Sequence, residues 1–599
     1  MRFLAALGLA LISAVTLAAD TTRPLVMARR GMAVSGHPLA SEAGVEMFRR
    51  GGNAVDAGVA TVFAQAVVEF DRFGLGGEVP ILIYLAERGE VVAINGHGWA
   101  PRKATLEWFR ERNIPAIAGD CFLPAIVPAV VDSLALALRE FGTLTLAETL
   151  EPAIRLAKEG FPVYEPLRGR LASVAPRFRQ EWPSSAEALL PGGEVPAVGD
   201  LLIQTDLGRT LERLADASAG AEDRQAGIDA ARDLFYRGDM AREIVAFQKT
   251  FPCTDDVGIT STGLLEESDL AEYAARVEEP ASTQYRGVEV YKVGFWSQGP
   301  VLLQTLNLLE GFNLQSLGHN TPVYIHLLAE AMRLAYADRE WYYADPDFVG
   351  VPAEGLLSKA YAAERRKLID LETPVFQLRP GNPYPYERGL TEQPVPIEVA
   401  FRPDPPGTTG TRVADGSGNL FSATPSGGWF TSSPVIPGLG FVLGTRGQSF
   451  WLDETSANRL EPGKQPRTTL TPSLALRDGK PFLAWGTPGG DVQDQVNLQV
   501  LLNMVEFGMD AQEAVEAPLF QIFDFPPSFY PREVNEGALA LERRTSAGIA
   551  AALEAIGYRV RMAGEWSIGD ATALEVDRDR GVLFGAAGPR RNKSYAIGW

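Results

Sequence analysis

The sequence predicts an α+β fold in which two β-sheets are layered between helices, and three of its features indicate this. Segments such as 474–486 (LALRDGKPFLAWG) and 570–587 (DATALEVDRDRGVLFGAA) have the strand, turn and strand pattern of hairpins. Segment 325–345 has the apolar spacing of a long amphipathic helix. Helices and antiparallel strands also fall in separate runs, which favours helices packed on the outer faces of antiparallel sheets.

The chain begins with a segment, 1–19, that is typical of a secretory signal peptide. One basic residue, Arg2, precedes an apolar run from Phe3 to Leu17, and two alanines follow it. The mature chain is therefore expected to start near Asp20 and to be periplasmic or secreted. An uncleaved membrane anchor is the alternative, although the run is shorter than the ~20 residues that a spanning helix needs. No later stretch is apolar enough over such a length, so no stable membrane anchor is expected after the signal is removed.

The predicted elements follow in chain order, each bounded by turn residues or helix-ending glycines. Strands are predicted at 32–36, 81–85 and 91–95, as a pair at 285–294, and in the two hairpins named above. Helices are predicted at 38–50, 54–68, after 128, around 147–158, and at 301–310, 325–345 and 495–508. The segment 200–272 mixes helices with short loops.

The composition limits the partners and cofactors. The chain has 55 basic and 75 acidic residues, a net charge of −20, which argues against nucleic acid or an anionic membrane surface as a partner. Its four histidines are scattered, so no metal site is predicted, and no cofactor either. The two cysteines, Cys121 and Cys253, are interpreted either as one disulfide of an exported protein or as two free buried thiols.

The most informative stretch is 407–426 (GTTGTRVADGSGNLFSATPS), which has the pattern of a hairpin. If residues 416–418 form the loop, Asp415 faces Asn419, and the same register brings Thr408 opposite Ser426. Directly opposed residues lie roughly 5 Å apart between β-carbons. The two hydroxyls are therefore expected to meet at the open end of the hairpin.

Cleavage of the Gly407–Thr408 bond would give Thr408 both a hydroxyl nucleophile and a free α-amine as its base. Such an amine titrates at about 7.7 to 8, so it can accept a proton near neutral pH. The proline-rich PDPP run at 403–406 indicates an extended linker that ends just before this bond. The alternative is that a Thr-Thr pair opening a strand is ordinary strand composition.

Several motifs together resemble the γ-glutamyltranspeptidase family over nearly the whole mature chain. They include GGNAVDA at 51–57, GLGGEV at 74–79, the threonine pair starting at 408, and TPGGDVQDQ at 487–495. The resemblance implies the four-layer αββα sandwich of N-terminal nucleophile hydrolases. It also implies a precursor that cuts itself into a large subunit, 20–407, and a small catalytic subunit, 408–599, acting together on a small-molecule amide.

The resemblance also assigns roles to residues of the predicted site. Thr408 would be the nucleophile, with Gly407–Thr408 as the autocleavage site. Gly489 and Gly490 match the paired glycines whose N–H groups face the oxyanion; without the family context, they would be interpreted as a plain turn. Ser426 and Thr424 fall where the family places the hydroxyl that supports the nucleophile, and the alternative is two polar residues at a strand end.

The first departure from the family pattern concerns the donor's α-carboxylate. γ-Glutamyl-specific members bind it with an arginine, and His97 stands at that position in GHGWAP. A neutral imidazole cannot form the bidentate contact of a guanidinium. Arg102, five residues on, either compensates or is a solvated side chain.

The second departure concerns the donor's α-ammonium. Family members bind it with an acidic pair before a phenylalanine, whereas this chain has Gln448 and Ser449, preceded by the positive charge of Arg446. Two serines that contact the donor carboxylate correspond to Thr468 and Thr469. These six substrate-binding candidates, His97 included, predict retained amide chemistry with altered head-group recognition.

Three hypotheses follow. The leading one is an exported, self-processing γ-glutamyltransferase or glutathione hydrolase that acts through an acyl-Thr408 intermediate. The second is an amidohydrolase for a non-glutamyl acyl amide, similar to cephalosporin acylases. In that case Trp99, Trp429 and Phe430 would line an acyl pocket; the alternative is that they are core aromatics. The third is an inactive family member that acts as a binding protein.

Overall fold

The structure is a computed structural model that describes residues 21–390, 407–591 and 593–599. The predicted signal peptide (1–19) and the proline-rich run (403–406) lie outside these residues. The helices are α1 (Pro38–Arg49), α2 (Ala54–Val68), α3 (Leu106–Glu111), α4 (Val130–Phe141), α5 (Leu146–Glu159), α6 (Glu165–Gln180), α7 (Pro183–Leu189), α8 (Thr205–Ala219), α9 (Arg224–Tyr236), α10 (Asp239–Thr250), α11 (Glu267–Glu272), α12 (Pro300–Leu309), α13 (Leu314–Leu317), α14 (Pro322–Tyr342), α15 (Ala353–Leu357), α16 (Lys359–Arg366), α17 (Val492–Val505), α18 (Ala511–Glu516) and α19 (Ala547–Ala555).

The strands are β1 (Val26–Ala28), β2 (Gly31–Ser35), β3 (Ile81–Leu85), β4 (Glu90–Asn95), β5 (Phe161–Pro162), β6 (Leu201–Leu202), β7 (Cys253–Thr254), β8 (Thr260–Ser261), β9 (Arg276–Glu278), β10 (Ala281–Tyr285), β11 (Val288–Lys292), β12 (Thr411–Asp415), β13 (Leu420–Ala423), β14 (Ser473–Arg477), β15 (Lys480–Gly486), β16 (Phe520–Ile522), β17 (Ala538–Glu542), β18 (Arg559–Ala563), β19 (Thr572–Asp577), β20 (Val582–Ala587) and β21 (Tyr595–Gly598).

Two seven-stranded antiparallel sheets form the centre of the molecule. Sheet I has the order β1-β20-β19-β15-β14-β11-β10, and sheet II has the order β21-β2-β12-β13-β3-β4-β9. Each sheet contains strands from both sides of Gly407. A cut at that residue would therefore leave two pieces joined by many ladder hydrogen bonds.

The burial of alternate strand residues defines four layers. In β2, Met32 and Val34 belong to a core between the two sheets, whereas Ala33 packs against the helices that cover the other face. This is the period-2 alternation of a strand that is buried on both faces. On sheet I, Leu474 faces the inter-sheet core, and Ala475 faces the helices of the second outer layer. The order is thus helices, sheet II, sheet I, helices, as the predicted αββα sandwich requires.

Most predicted elements are present close to their predicted bounds. The helix predicted at 54–68 is α2, and the strand pairs predicted at 81–95 and 474–486 are β3 with β4 and β14 with β15. The closing hairpin 570–587 is β19 with β20, but a further strand, β21, follows it and pairs with β2. A small third sheet, β16-β17-β18, was not predicted.

Cys121 and Cys253 are joined in a disulfide, so the interpretation as two free thiols is wrong. The bridge links the loop before α4 to β7. Among the described residues, no helix is both long and apolar enough to cross a membrane.

Candidate active site

The central hairpin has the predicted register. Thr411 pairs with Ala423, and the same register carried to the open end places Thr408 opposite Ser426. The Oγ1 of Thr408 lies 3.0 Å from the Oγ of Ser426, and both residues are buried. The turn residues at 415–419 therefore fix the distance between two hydroxyls that lie at the far end of the hairpin.

The backbone of Thr408 is strained. Its φ is +128°, a region that a β-branched residue rarely adopts and that costs of order 1 to 3 kcal/mol. The preceding residue, Gly407, lies against the ring of Trp429, since a β-carbon built on it would be 2.7 Å from the ring atom Cε3. The strain lies in the rotation about the N–Cα bond of Thr408, and cleavage of the bond before this residue would release it.

The residue after Thr408 is anchored by a buried polar network. The hydroxyl of Thr409 donates to the Glu69 carboxylate at 2.7 Å and accepts from the Gln65 amide at 2.9 Å. Lys593 forms an ion pair with Glu69, so the carboxylate is compensated. This network holds the segment that leads into β12 against the end of α2.

Gly489 and Gly490 form a tight turn between β15 and α17. Their φ values are +126° and +59°, which glycine adopts at little cost. Their carbonyls accept from the N–H groups of Val492 and Gln493, each at 3.2 Å. Among the described residues, neither glycine N–H donates to a protein acceptor. Two donors are therefore available for an oxyanion.

The glycine turn lies near Thr408. Pro488, the residue before the pair, lines the same small cavity as Thr408. The next residue, Asp491, forms an ion pair with Arg339 of α14 and accepts from the Ser528 N–H at 2.7 Å. Packing and charge thus hold the turn beside Thr408.

On its other side, Ser426 contacts a buried ion pair. The Nη2 of Arg446 donates to Ser426 Oγ at 3.1 Å, and its Nε donates to Glu78 Oε1 at 2.6 Å. Burial raises the pKa of the Glu78 carboxyl, and the Arg446 charge opposes that shift. The guanidinium lies over the rings of Trp429 and Phe529, at 5.8 and 5.1 Å from their centroids. Arg446, predicted to bind substrate, thus lies next to Ser426, whose hydroxyl contacts Thr408.

Sequence reasoning missed Glu78 as a site residue. Its signal was an acidic residue inside the glycine-rich GLGGEV segment, where a carboxylate has no local partner. The segment needs glycine at position 76, because a β-carbon there would be 1.9 Å from the carbonyl oxygen of Val442. Close backbone approach therefore brings Glu78 to Arg446.

His97 is fully buried and neutral. One ring nitrogen is 2.7 Å from the Pro466 carbonyl, and the ring stacks on Trp296 with centroids 5.9 Å apart. Burial, with the nearby charge of Arg446, lowers the pKa of His97 to about 3. Its Nδ1 has no partner in the described part of the chain. Arg102 does not replace the missing guanidinium, because it is exposed and paired with Glu272, as the solvated alternative predicted.

The residues that stand for the acidic pair are buried and uncharged. The Gln448 amide donates to the Thr445 carbonyl at 3.1 Å, and its Oε1 approaches the loop at Gly119. The Ser449 hydroxyl has no partner among the described residues. Neither side chain supplies the negative charge that an α-ammonium group needs.

The remaining polar candidates differ in their hydrogen bonds. Thr468 accepts from the Leu470 N–H at 3.3 Å, while the hydroxyls of Thr469 and Thr424 are buried without a partner among the described residues. Of the two supporting candidates, Ser426 alone hydrogen-bonds to Thr408 within those residues. No three acidic, histidine or cysteine side chains of the described ranges are grouped to hold a metal ion.

The three aromatic candidates have different surroundings. Phe430 is a core residue that packs edge-on against Phe70 and Phe178. Trp99 packs edge-on against Tyr273. Of the three, Trp429 contacts both Gly407 and Arg446 and so lies beside Thr408.

A family model, two relatives and one solved structure relate the chain to known proteins. The family model described as Gamma-glutamyltranspeptidase matches residues 40–598. The chain is 31% identical to a glutathione hydrolase proenzyme of Bacillus subtilis, over 97% of this chain and 93% of that protein. It is 34% identical to an Acylase ACY 1 proenzyme of a Pseudomonas species, over 93% and 92% of the two chains. The crystal structure of a cephalosporin acylase from Bacillus halodurans matches with a TM-score of 0.83 and 30% identity, covering 97% of this chain and 98% of that one. The last likeness confirms the predicted αββα fold.

Proposed function

The chain belongs to the γ-glutamyltranspeptidase family, and we propose that it is an exported, self-processing enzyme that hydrolyses or transfers an acyl group through an ester on Thr408. The observation that carries the proposal is the 3.0 Å contact between Thr408 Oγ1 and Ser426 Oγ, at a residue whose backbone has a strained φ. The paired glycines next to this contact supply oxyanion donors. Because the chain belongs to a family of enzymes, the hypothesis of an inactive binding protein is set aside.

Processing would begin when Thr408 Oγ1 attacks the carbonyl carbon of Gly407. The C–N bond breaks, the hydroxyl proton moves to the nitrogen, and the glycyl group becomes an ester of Thr408. Water then hydrolyses the ester, giving a large subunit that ends at Gly407 and a small subunit that starts at Thr408. The strands interleaved in both sheets would keep the two subunits together.

Turnover would reuse the same oxygen. The α-amine of Thr408 accepts the hydroxyl proton as Oγ1 attacks the substrate amide, and then gives a proton to the leaving amine. The N–H groups of Gly489 and Gly490 stabilise the oxyanion, and one such donor contributes roughly 3 to 4 kcal/mol in other enzymes. Water or an acceptor amine finally removes the acyl group from Thr408.

The transferred group is proposed to be either γ-glutamyl or a related acyl group. The residues at the predicted head-group pocket favour the related acyl group over γ-glutamyl. His97 is neutral where γ-glutamyl-specific members have an arginine, and Gln448 and Ser449 are neutral where they have carboxylates. Each charge-assisted hydrogen bond contributes roughly 1.5 to 3 kcal/mol, so a zwitterionic head group would lose several kcal/mol of binding. These contacts suit an acyl group without that head group, and acylases are among the relatives.

A substrate panel tests this choice. Fully processed enzyme is assayed with glutathione, a γ-glutamyl anilide and anilides of uncharged and dicarboxylic acyl groups. The proposal expects the highest kcat/KM on an anilide without an α-ammonium group. The double variant His97→Arg/Ser449→Asp should then raise γ-glutamyl turnover. An unchanged rate in that variant would mean that the head-group pocket lies elsewhere, and a γ-glutamyl preference in the wild type would contradict the choice.

Export is proposed from the N-terminal segment and the disulfide. Disulfides persist in oxidising compartments, and this one joins positions 132 residues apart. Expression of the full chain with its native N-terminus, followed by fractionation and N-terminal sequencing, tests the proposal. A large subunit that starts near Asp20 outside the cytoplasm is expected. A cytoplasmic chain that keeps residues 1–19 would refute it.

A further inference from the structure

We propose that Arg446, held by Glu78, is a positioning residue that directs the Ser426 hydroxyl to donate a hydrogen bond to Thr408 Oγ1. The inference rests on the proposed role of Thr408 as nucleophile. It changes the interpretation of Arg446, which the sequence placed among the substrate-binding residues.

The backbone fixes the positions of the participants. Glu78 and Ser426 form an antiparallel bridge, in which each N–H donates to the other's carbonyl at 2.9 and 3.0 Å. The segment that carries Arg446 is joined to the same region by the Gly444 N–H, which donates to Gly76 O at 2.9 Å. Three segments distant in sequence therefore meet beside the open end of the hairpin.

The direction of each hydrogen bond follows from the chemistry of the groups. A guanidinium has donors only, so Ser426 Oγ must accept from Arg446 Nη2. The hydroxyl hydrogen of Ser426 then needs an acceptor, and among the described residues the available one is Thr408 Oγ1 at 3.0 Å. If Thr408 donated instead, the Ser426 hydrogen would be buried without a partner, which is unfavourable. The Thr408 hydrogen has another place to point, because Thr408 lines a small cavity and Ser426 does not line it.

This direction serves the proposed reaction. When Ser426 donates to Thr408 Oγ1, the hydrogen of Thr408 remains free for transfer to nitrogen, in processing and in turnover. The donated bond also stabilises the oxygen as negative charge develops on it. Polarisation by the adjacent guanidinium strengthens such a bond in a buried site.

Glu78 holds the arginine in this orientation. Both side chains are 1% exposed, and a buried guanidinium without a counter-charge would be strongly destabilising. The carboxylate occupies Nε, so Nη2 points at Ser426. A lysine at 446 could pair with Glu78, but its point charge would not reproduce the fork that contacts both groups.

Self-processing gives a readout that involves no substrate. The rate of cleavage at 407/408 is followed by denaturing gel for the wild type, Ser426→Ala, the pair variant Glu78→Gln/Arg446→Met, and the triple variant. We expect Ser426→Ala and the pair variant each to process about 10- to 100-fold more slowly, as loss of a charge-assisted hydrogen bond implies. The triple variant should be slowed no more than about threefold beyond Ser426→Ala, because the pair acts through that hydroxyl.

Controls separate positioning from folding. Arg446→Lys keeps the charge pair and should also process slowly, with an unchanged melting temperature. Glu330→Gln/Arg333→Met removes a buried ion pair of α14, whose members also pair with Arg379 and Asp524, and should process at the wild-type rate. If the slow variants have lower melting temperatures and the α14 control is slowed equally, the effect is structural and the proposal is wrong.

Other results would also overturn the proposal. Wild-type processing in the pair variant, with only KM raised in turnover, would assign Arg446 to substrate binding. Fully multiplicative effects in the triple variant would show that the pair does not act through Ser426. If the wild type itself does not cleave before Thr408, the proposed function fails first. Cleavage there with an unaffected pair variant would sink the inference alone.

Discussion

Replacing Gly76 by alanine should both destabilise the fold and slow processing. A β-carbon there would lie 1.9 Å from Val442 O and 3.0 Å from Leu443 Cα, which are both backbone atoms. An ordinary C···O contact is about 3.3 Å, so the two segments must separate by roughly 1.4 Å. Overpacking costs about 1 to 3 kcal/mol, and the hydrogen bond from Gly444 to Gly76 contributes about 0.5 to 1.5. A loss of about 1.5 to 4.5 kcal/mol of unfolding free energy is therefore expected.

The measurement uses urea unfolding in a Thr408→Ala background, where a single uncleaved chain is expected. Gly169→Ala is the matched control, because this glycine lies within α6 and a β-carbon there would meet no atom within 4 Å, so alanine should add up to about 1 kcal/mol. In the background with Thr408, Gly76→Ala should also process more slowly, since Arg446 is moved away from Ser426. Equal stability of the two glycine variants, with equal processing rates, would refute the reasoning.

Three further predictions concern stability. The pKa of His97 is about 3 in the folded state and about 6.5 in the unfolded state, so only the unfolded state binds a proton between these values. The folded state is therefore most stable above pH 6.5 and loses this stability as the pH falls towards 3. Between pH 7.5 and 5, the wild type should therefore lose about 2 kcal/mol more than His97→Gln in urea unfolding, and equal losses would contradict this. Replacing Cys121 and Cys253 by alanine should lower the unfolding free energy by up to about 5 kcal/mol, because the bridge spans 132 residues. If the melting temperature changes no more than in a surface variant, the bridge does not stabilise the fold. Glu69→Gln should lower the unfolding free energy by about 3 to 5 kcal/mol, because it leaves Lys593 buried without its partner. The double variant Glu69→Gln/Lys593→Met should recover part of this unfolding free energy. If it recovers none, the loss of the ion pair is not the cause.

The sequence could predict the hairpin contact because local rules decide it. Turn residues at 415–419 set the loop, and the period of two along the strands carries the register to Thr408 and Ser426. The resemblance alone did not choose between Thr424 and Ser426, because residues two apart lie on the same face of a strand. The hairpin register places Ser426 opposite Thr408, and the 3.0 Å distance between their hydroxyl oxygens agrees with it.

The partners of Ser426 could not be predicted by such rules. Glu78 and Arg446 lie 368 residues apart in the chain, and no periodicity links two glycine-rich loops. The sequence also could not distinguish the adjacent aromatics Trp429 and Phe430. In the structure, Trp429 faces Gly407, whereas Phe430 packs in the core. Burial patterns indicate which face is apolar but not which distant segment covers it.

Self-cleavage before Thr408 is tested most directly by the N-terminal sequence of the small fragment that forms in purified protein. Two fragments of about 42 and 21 kDa are expected, in proportion to the 64.8 kDa of the whole chain, with the smaller one starting at Thr408. The Thr408→Ala protein should remain a single chain under the same conditions. A small fragment that starts at another residue, or the same cleavage in Thr408→Ala, would contradict it.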